Sequence, residues 1–121
     1  MASENQNYDK LIGGEFPVVT ERVTIASGAN LKRGTILGVV TASGKYVAAD
    51  STDTGGSATG TKDPKAILLE DANAASADVS GALVALTGEF NAAALIAKTG
   101  STVAGFKDAL RALCIFQKTV I

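Results

Sequence analysis

Apolar and polar residues change rhythm along this chain. Through the first 17 positions apolar side chains are sparse. Ser3, Glu4, Asn5, Gln6 and Asn7 open the segment, and Tyr8, Leu11, Ile12 and Phe16 are then scattered among Asp9, Lys10, Gly13, Gly14 and Glu15, with Pro17 at the end. So few apolar groups cannot offset the entropy of ordering a backbone, so residues 1–17 are predicted to form a flexible N-terminal arm. Its second half is a tether carrying greasy anchors, which either pack on their own domain or order on a partner.

From Val18 onward the spacing is that of strands. Val19, Val23 and Ile25 alternate with Thr20, Arg22 and Thr24, the period-2 pattern of a half-buried strand. Ser27-Gly28-Ala29-Asn30 and Lys32-Arg33-Gly34 read as turns. Thr35 to Val40 is a short apolar run, and Ser43-Gly44 closes a hairpin into Lys45-Tyr46-Val47-Ala48. Residues 50–64, rich in Ser, Thr, Asp and Gly, lack periodicity and predict a long exposed loop. Ala66 to Leu69 is a second apolar run, ended by Glu70-Asp71-Ala72-Asn73. Val79 to Leu86 is a third, with Gly81 as a candidate bulge and Gly88 as its end.

Near the C-terminus the period lengthens. Phe106, Ala109, Leu110 and Leu113 fall at i, i+3, i+4, i+7, which predicts one short helix with Ser101 or Thr102 as N-cap. Ile115 to Ile121 predicts a closing strand. The fold class expected is mainly β, a β-dominated α+β domain over residues 18–121 with one short C-terminal helix, preceded by the arm of residues 1–17.

Composition narrows the function. Eleven basic and twelve acidic residues leave a formal charge of −1, so no net field draws the chain to nucleic acid or an anionic membrane, while subunits of one kind can approach closely. No apolar run approaches the ~18–20 residues that span a bilayer, and no signal peptide opens the chain; a soluble product made in the cytoplasm is expected. The single cysteine, Cys114, sits among Leu113, Ile115 and Phe116 and is expected to be a buried thiol.

Catalytic chemistry finds little to work with. The chain has no His, which removes the usual general base, the Ser-His-Asp and Cys-His arrangements and the commonest metal ligand. The carboxylate pairs Asp50/Asp53 and Glu70/Asp71 lie in turn regions and read as solvated turn formers. Gly55 to Lys62 fails as a phosphate loop, because Asp63-Pro64 follows where a hydroxyl and a helix are needed. Asp50 to Gly55 lacks the later glutamate of a calcium loop. No enzyme activity, cofactor or metal is expected.

The succession Gly34-Thr35-Ile36-Leu37-Gly38, Ser43-Gly44-Lys45-Tyr46, the polar loop, Ala66 to Asp71, Gly88-Glu89-Phe90-Asn91 and Leu110 to Ile115 resembles the lambda-type head decoration protein family of tailed bacteriophages. Each piece is only a turn and a strand; the order and spacing carry the likeness, which runs from about Phe16 to the end. The resemblance implies a virion protein on the outer surface of the capsid. It implies a homotrimer at local three-fold sites that binds the major capsid protein and stabilises the expanded head. It also implies an arm that orders against the shell, for which Tyr8, Leu11, Ile12, Phe16 and Pro17 are the candidates. The competing reading is a lipoyl-like carrier or ligand-binding β module with Lys45 as the modified lysine, although no acidic residue precedes it.

Overall fold

The computed structural model describes residues 18–52 and 60–118. The predicted arm, with Tyr8, Leu11, Ile12, Phe16 and Pro17, lies outside the described residues, as do the middle of the polar loop and residues 119–121.

Among the described residues nine strands form. They are β1 (Thr20–Ile25), β2 (Ala29–Leu31), β3 (Ile36–Val39), β4 (Tyr46–Ala48), β5 (Ala66–Leu68), β6 (Ala72–Ala74), β7 (Val79–Ala85), β8 (Gly88–Asn91) and β9 (Ile115–Lys118). Five of them close a barrel in the order β1-β4-β3-β5-β7, with β7 returning to β1. The joint between β1 and β4 is parallel and short, a single pairing of Ile25 with Tyr46; the other barrel pairings are antiparallel. Two short ladders lie outside it, β2 with β6 and β8 with β9.

The apolar runs are continuous because the barrel wall is covered on both sides. Successive side chains of a strand point to opposite faces. In β3, Leu37 joins Ile25, Ala66, Leu68, Ala82 and Val84 in one core, while Ile36 joins Ile67, Ala85, Phe90, Leu95, Phe106, Leu110 and Ile115 in another. Strands buried on both faces lose the apolar-polar alternation. The second core is roofed by the 3₁₀ turn Ala104–Phe106, the helix α1 (Lys107–Arg111) and the β8–β9 pair.

Sequence expectation and structure agree at several joints. Val40 N–H donates to Lys45 O (2.9 Å) and Gly44 N–H to Val40 O (2.8 Å), closing the expected hairpin between β3 and β4. Gly81 is the bulge: between Val23 paired with Ala82 and Ile25 paired with Val79, β7 spends one more residue than β1, and Gly81 takes φ +76°.

Other expectations are corrected. Ala29–Leu31 and Ala72–Ala74, expected as turn and strand end, pair with each other as β2 and β6. Gly88 does not merely end β7; it begins β8, which runs parallel to β9. The helix is shorter than its apolar spacing suggests. Thr102 Oγ1 accepts from Gly105 N–H (3.0 Å), but the residue at the N-cap of the 3₁₀ turn is Val103, with no side-chain cap, and only five α-helical residues follow. Cys114 is not buried: it is exposed, in the left-handed region at φ +63°, where the chain reverses from α1 into β9.

Candidate functional site

The residues that follow the predicted arm in sequence are firmly held. Val19 N–H donates to Thr87 Oγ1 (3.1 Å), and Leu86 N–H donates to Val19 O (2.7 Å), so the backbone just before β1 is hydrogen-bonded to the end of β7. A Cβ at Gly88 would stand 3.1 Å from Val18 Cγ2. Val18 therefore lies over the start of β8. Both valines are open to solvent, Val19 at 51% exposure. Gly88 N–H in turn donates to Cys114 O (3.0 Å), which places the Leu113-Cys114 reversal next to these residues. Leu113 is exposed at 36%, because α1 ends at Arg111 and the i+7 position of the predicted apolar face falls past the helix.

Elsewhere, an apolar groove of about 540 Å³ runs between the corner that leads into β2, the outer wall of β4 and the segment after the 3₁₀ turn Ala92–Ala94. Ala26, Ala29, Val40, Val47, Ala48 and Ile96 are among its walls. Ile96 is 42% exposed, yet its backbone is fixed: Ile96 N–H donates to Gly34 O and Ile36 N–H donates to Ile96 O, both at 2.9 Å.

Lys32, Asp50 and Lys98 line the groove, and the charged groups there and at the neighbouring Lys45 are matched in pairs. Lys98 Nζ lies 3.2 Å from Asp50 Oδ2, Lys32 Nζ 3.9 Å from Asp71 Oδ2, and Lys45 Nζ 2.6 Å from Asp78 Oδ2. Asp78 also accepts from Ser27 N–H (2.8 Å). The Lys45 ammonium, and after it the Ser27 amide, hold the Asp78 carboxyl below its ordinary pKa. Asp50 is lowered as well, first by the Thr52 hydroxyl and amide and then by Lys98.

These partners account for the residues considered for chemistry. Asp50 is committed to Thr52 and Lys98. Glu70 Oε2 accepts from Leu83 N–H (3.2 Å), and Asp71 Oδ1 accepts from Arg33 N–H (2.8 Å), so this carboxylate pair ties strands and turns together. Asp53 lies outside the described residues. Gly60-Thr61-Lys62 runs through a turn into β5 with no helix after it, so the phosphate-loop reading has no structural basis. Lys45, the carrier candidate, is held by Asp78 beside the β4 start instead of standing free at a hairpin tip. Among the described residues no helix is long and apolar enough to cross a membrane.

Sequence reasoning missed the groove and the exposed Leu113-Cys114 reversal. Ile96 lies within the apolar run Ala92 to Ala97 and does not stand out in the sequence as a signal for the first.

Among the described residues the arrangement brings no candidate catalytic groups together. It is a small barrel with a fixed arm root, exposed apolar spots and self-neutralised charge, which suits a protein that adheres to other surfaces. Residues 2–116 match the family model of bacteriophage lambda head decoration protein D. The chain belongs to that family. No curated protein matches it. Membership makes the chain a structural protein of the phage capsid, located on the head that it decorates. The β-dominated fold with a single short helix near the C-terminus accords with the resemblance drawn from the sequence.

Proposed function

We propose that the chain decorates the outer surface of the expanded phage head as a homotrimer at local three-fold sites, and that residues 1–17 clamp it to the major capsid protein. The observation that carries the clamp is the arm root. Val18 and Val19 are exposed apolar residues on a backbone bonded to β7, so the apolar anchors of residues 8–17 are followed directly in sequence by a held part of the barrel. A pull on the arm is then borne by the β1–β7 ladder, the most extensive pairing in the barrel.

The arm's chemistry fits this work. An extended segment added to a sheet edge gains main-chain hydrogen bonds, while alternate side chains fill pockets. Tyr8, Leu11, Ile12 and Phe16 supply the side chains, with Pro17 stiffening the junction. Each large apolar anchor contributes about 1.5–3 kcal/mol on burial before ordering costs, so one arm gives modest affinity. Three arms on one trimer bind multivalently, and release requires all three to let go.

The test is deletion of residues 1–17, followed by co-sedimentation with expanded capsids and light scattering of the free protein. The expected result is loss of capsid binding with the oligomer and its thermal transition retained. Unchanged capsid binding would refute the clamp, and a monomeric intact chain would refute the trimer.

A further inference from the structure

We infer that the barrel has a built-in seam, the parallel joint between β1 and β4, which opens ahead of the rest of the fold, and that Asp78 is the latch that keeps it shut. Taken in the order β4-β3-β5-β7-β1, the five strands form one antiparallel sheet, and closure brings its two outermost strands side by side. That closing joint is the least paired in the barrel: Ile25 faces Tyr46, and Ala26 N–H donates to Tyr46 O (2.9 Å). Parallel pairing is also the less stable kind per residue. The Gly81 bulge sets the joint apart from the ladder beside it. β1 pairs with β7 without interruption from Thr20 to Val23, the register then shifts, and beyond the shift only Ile25 is paired, with Val79. A bulge disrupts the ladder and bends the strand. The end of β1 therefore rests on one pairing to either side, while its start is held by a continuous run.

Asp78 lies where the three strands meet. It directly precedes Val79, Lys45 directly precedes Tyr46, and Ser27 lies just past Ile25, so all three residues sit at the level of the joint. Asp78 Oδ1 accepts from Ser27 N–H (2.8 Å) and Oδ2 from Lys45 Nζ (2.6 Å). One carboxylate thus straps β4 to β7 across the end of β1. A widening that carries Tyr46 away from Ile25 also carries Lys45 away from Ser27, and one of the two bonds must break. Opening uncovers Ile25 and Tyr46, which pack in the core around Leu37 and Val84. It also frees the facing edges of β1 and β4, and free strand edges invite association between chains. The run from Thr20 to Val23 and the bonds of Val19 stay in place with the seam open, so the residues after the arm remain held. Openings of this sub-global kind lie below global unfolding in free energy.

Amide hydrogen exchange of the full-length chain, followed by NMR at one neutral pH and in rising sub-denaturing urea, tests both parts. Ala26 N–H reports on the joint. Leu68 N–H and Leu69 N–H, bonded to Thr35 O and Leu83 O at 2.9 Å each, report on the barrel away from it. Relative to intrinsic rates, Ala26 should exchange about tenfold faster than Leu68 and Leu69, with a urea dependence that is measurable but weaker than theirs. Ala26 matching them in both rate and urea dependence would mean that the barrel opens as one and would overturn the seam. Ala26 exchange insensitive to urea would report fraying of a single bond and overturn it too. The latch is read from Asp78→Asn and Lys45→Gln. A strap that breaks on opening stabilises only the closed state, so each variant should speed Ala26 and Leu68 by the same factor, about three- to fivefold at low salt. Leu68 sped up with Ala26 unchanged would show the strap surviving the opening. Both unchanged would show it holding nothing, and either result removes Asp78 as the latch.

Discussion

Gly38 sits in the middle of β3, paired with Val47, at a place where the chain crosses itself. A Cβ there would stand 2.9 Å from Thr61 O, 3.1 Å from Asp63 O and 3.3 Å from Thr61 Cα, all backbone atoms. The crossing segment cannot easily retreat, because Asp50 N–H donates to Thr61 O (2.9 Å) and Lys65 N–H to Leu37 O (2.6 Å). Gly38 is thus required for close approach and not for an unusual φ. Gly38→Ala should destabilise the fold by about 1–3 kcal/mol, the usual cost of overpacking where neighbours are fixed. Urea denaturation of the variant, with an unchanged slope and a lower midpoint, checks this. The same residue shows what a sequence conceals: in the run Thr35 to Val40 it looks like a weak spot in a strand, and only the return of residues 60–63 across β3 explains it. Cys114 is the converse case. Its apolar neighbours suggested burial, but the reversal between Arg111 and Ile115 turns its side chain out while Ile115 goes into the core.

At the scale of elements, the second core depends on a thin roof. Phe106 and Leu110 are buried against Ile36, Ile67, Ala85 and Ile115, although α1 is too short to be stable by itself. The helix is therefore held by packing, and Leu110→Ala should cost about 2–5 kcal/mol, the range for large-to-small changes in a core. Thermal denaturation monitored by circular dichroism measures it. The same reasoning separates what was readable from what was not. Strands β3 and β5 were legible because they are apolar on both faces and bounded by turn residues, and β7 because only Ser80 and Gly81 interrupt its apolar run. The bulge at Gly81 was legible because a glycine interrupts an otherwise regular strand. Strands β2 and β6 were not, since Ala29-Asn30-Leu31 and Ala72-Asn73-Ala74 have the composition of turns, and only their mutual pairing, with Asn30 opposite Asn73, makes them strands. Tyr8, Leu11, Ile12, Phe16 and Pro17, the proposed anchors, are apolar residues in a polar stretch and lie outside the described residues. The groove left no such trace, because its walls come from segments far apart in sequence, and their convergence is a property of the closed barrel.

For the molecule as a whole, charge acts as a set of clasps between distant segments. Asp78 joins Lys45 and the Ser27 amide, and Asp50 joins Lys98, so two carboxylates span the corner before β2, the β4 end of the barrel and the segment before α1. Both have folded-state pKa values below the ordinary 3.8, chiefly through the hydrogen bonds of Lys45 to Asp78 and of Thr52 to Asp50. For a lowered carboxylate the unfolded chain binds the proton first as pH falls. The stability each clasp provides is therefore complete above pH 3.8 and is lost progressively below it, as pH drops through the folded-state value. With no His in the chain, no side chain of ordinary pKa titrates between about pH 5 and 7, so the folded state should show a flat stability profile there. The expected curve of urea midpoint against pH is a plateau at neutral pH with a decline on the acid side. Asp78→Asn and Asp50→Asn should each lower the plateau and shallow that decline, because a residue that cannot ionise contributes no proton linkage. The lysine end of each clasp is exposed to solvent and the carboxylate end only partly covered, so salt should weaken the pairs, and the difference between each variant and the intact chain should shrink as ionic strength rises. A difference that persisted unchanged in concentrated salt would assign the effect to the lost hydrogen bonds of Ser27 and Thr52 instead of to the ion pairs.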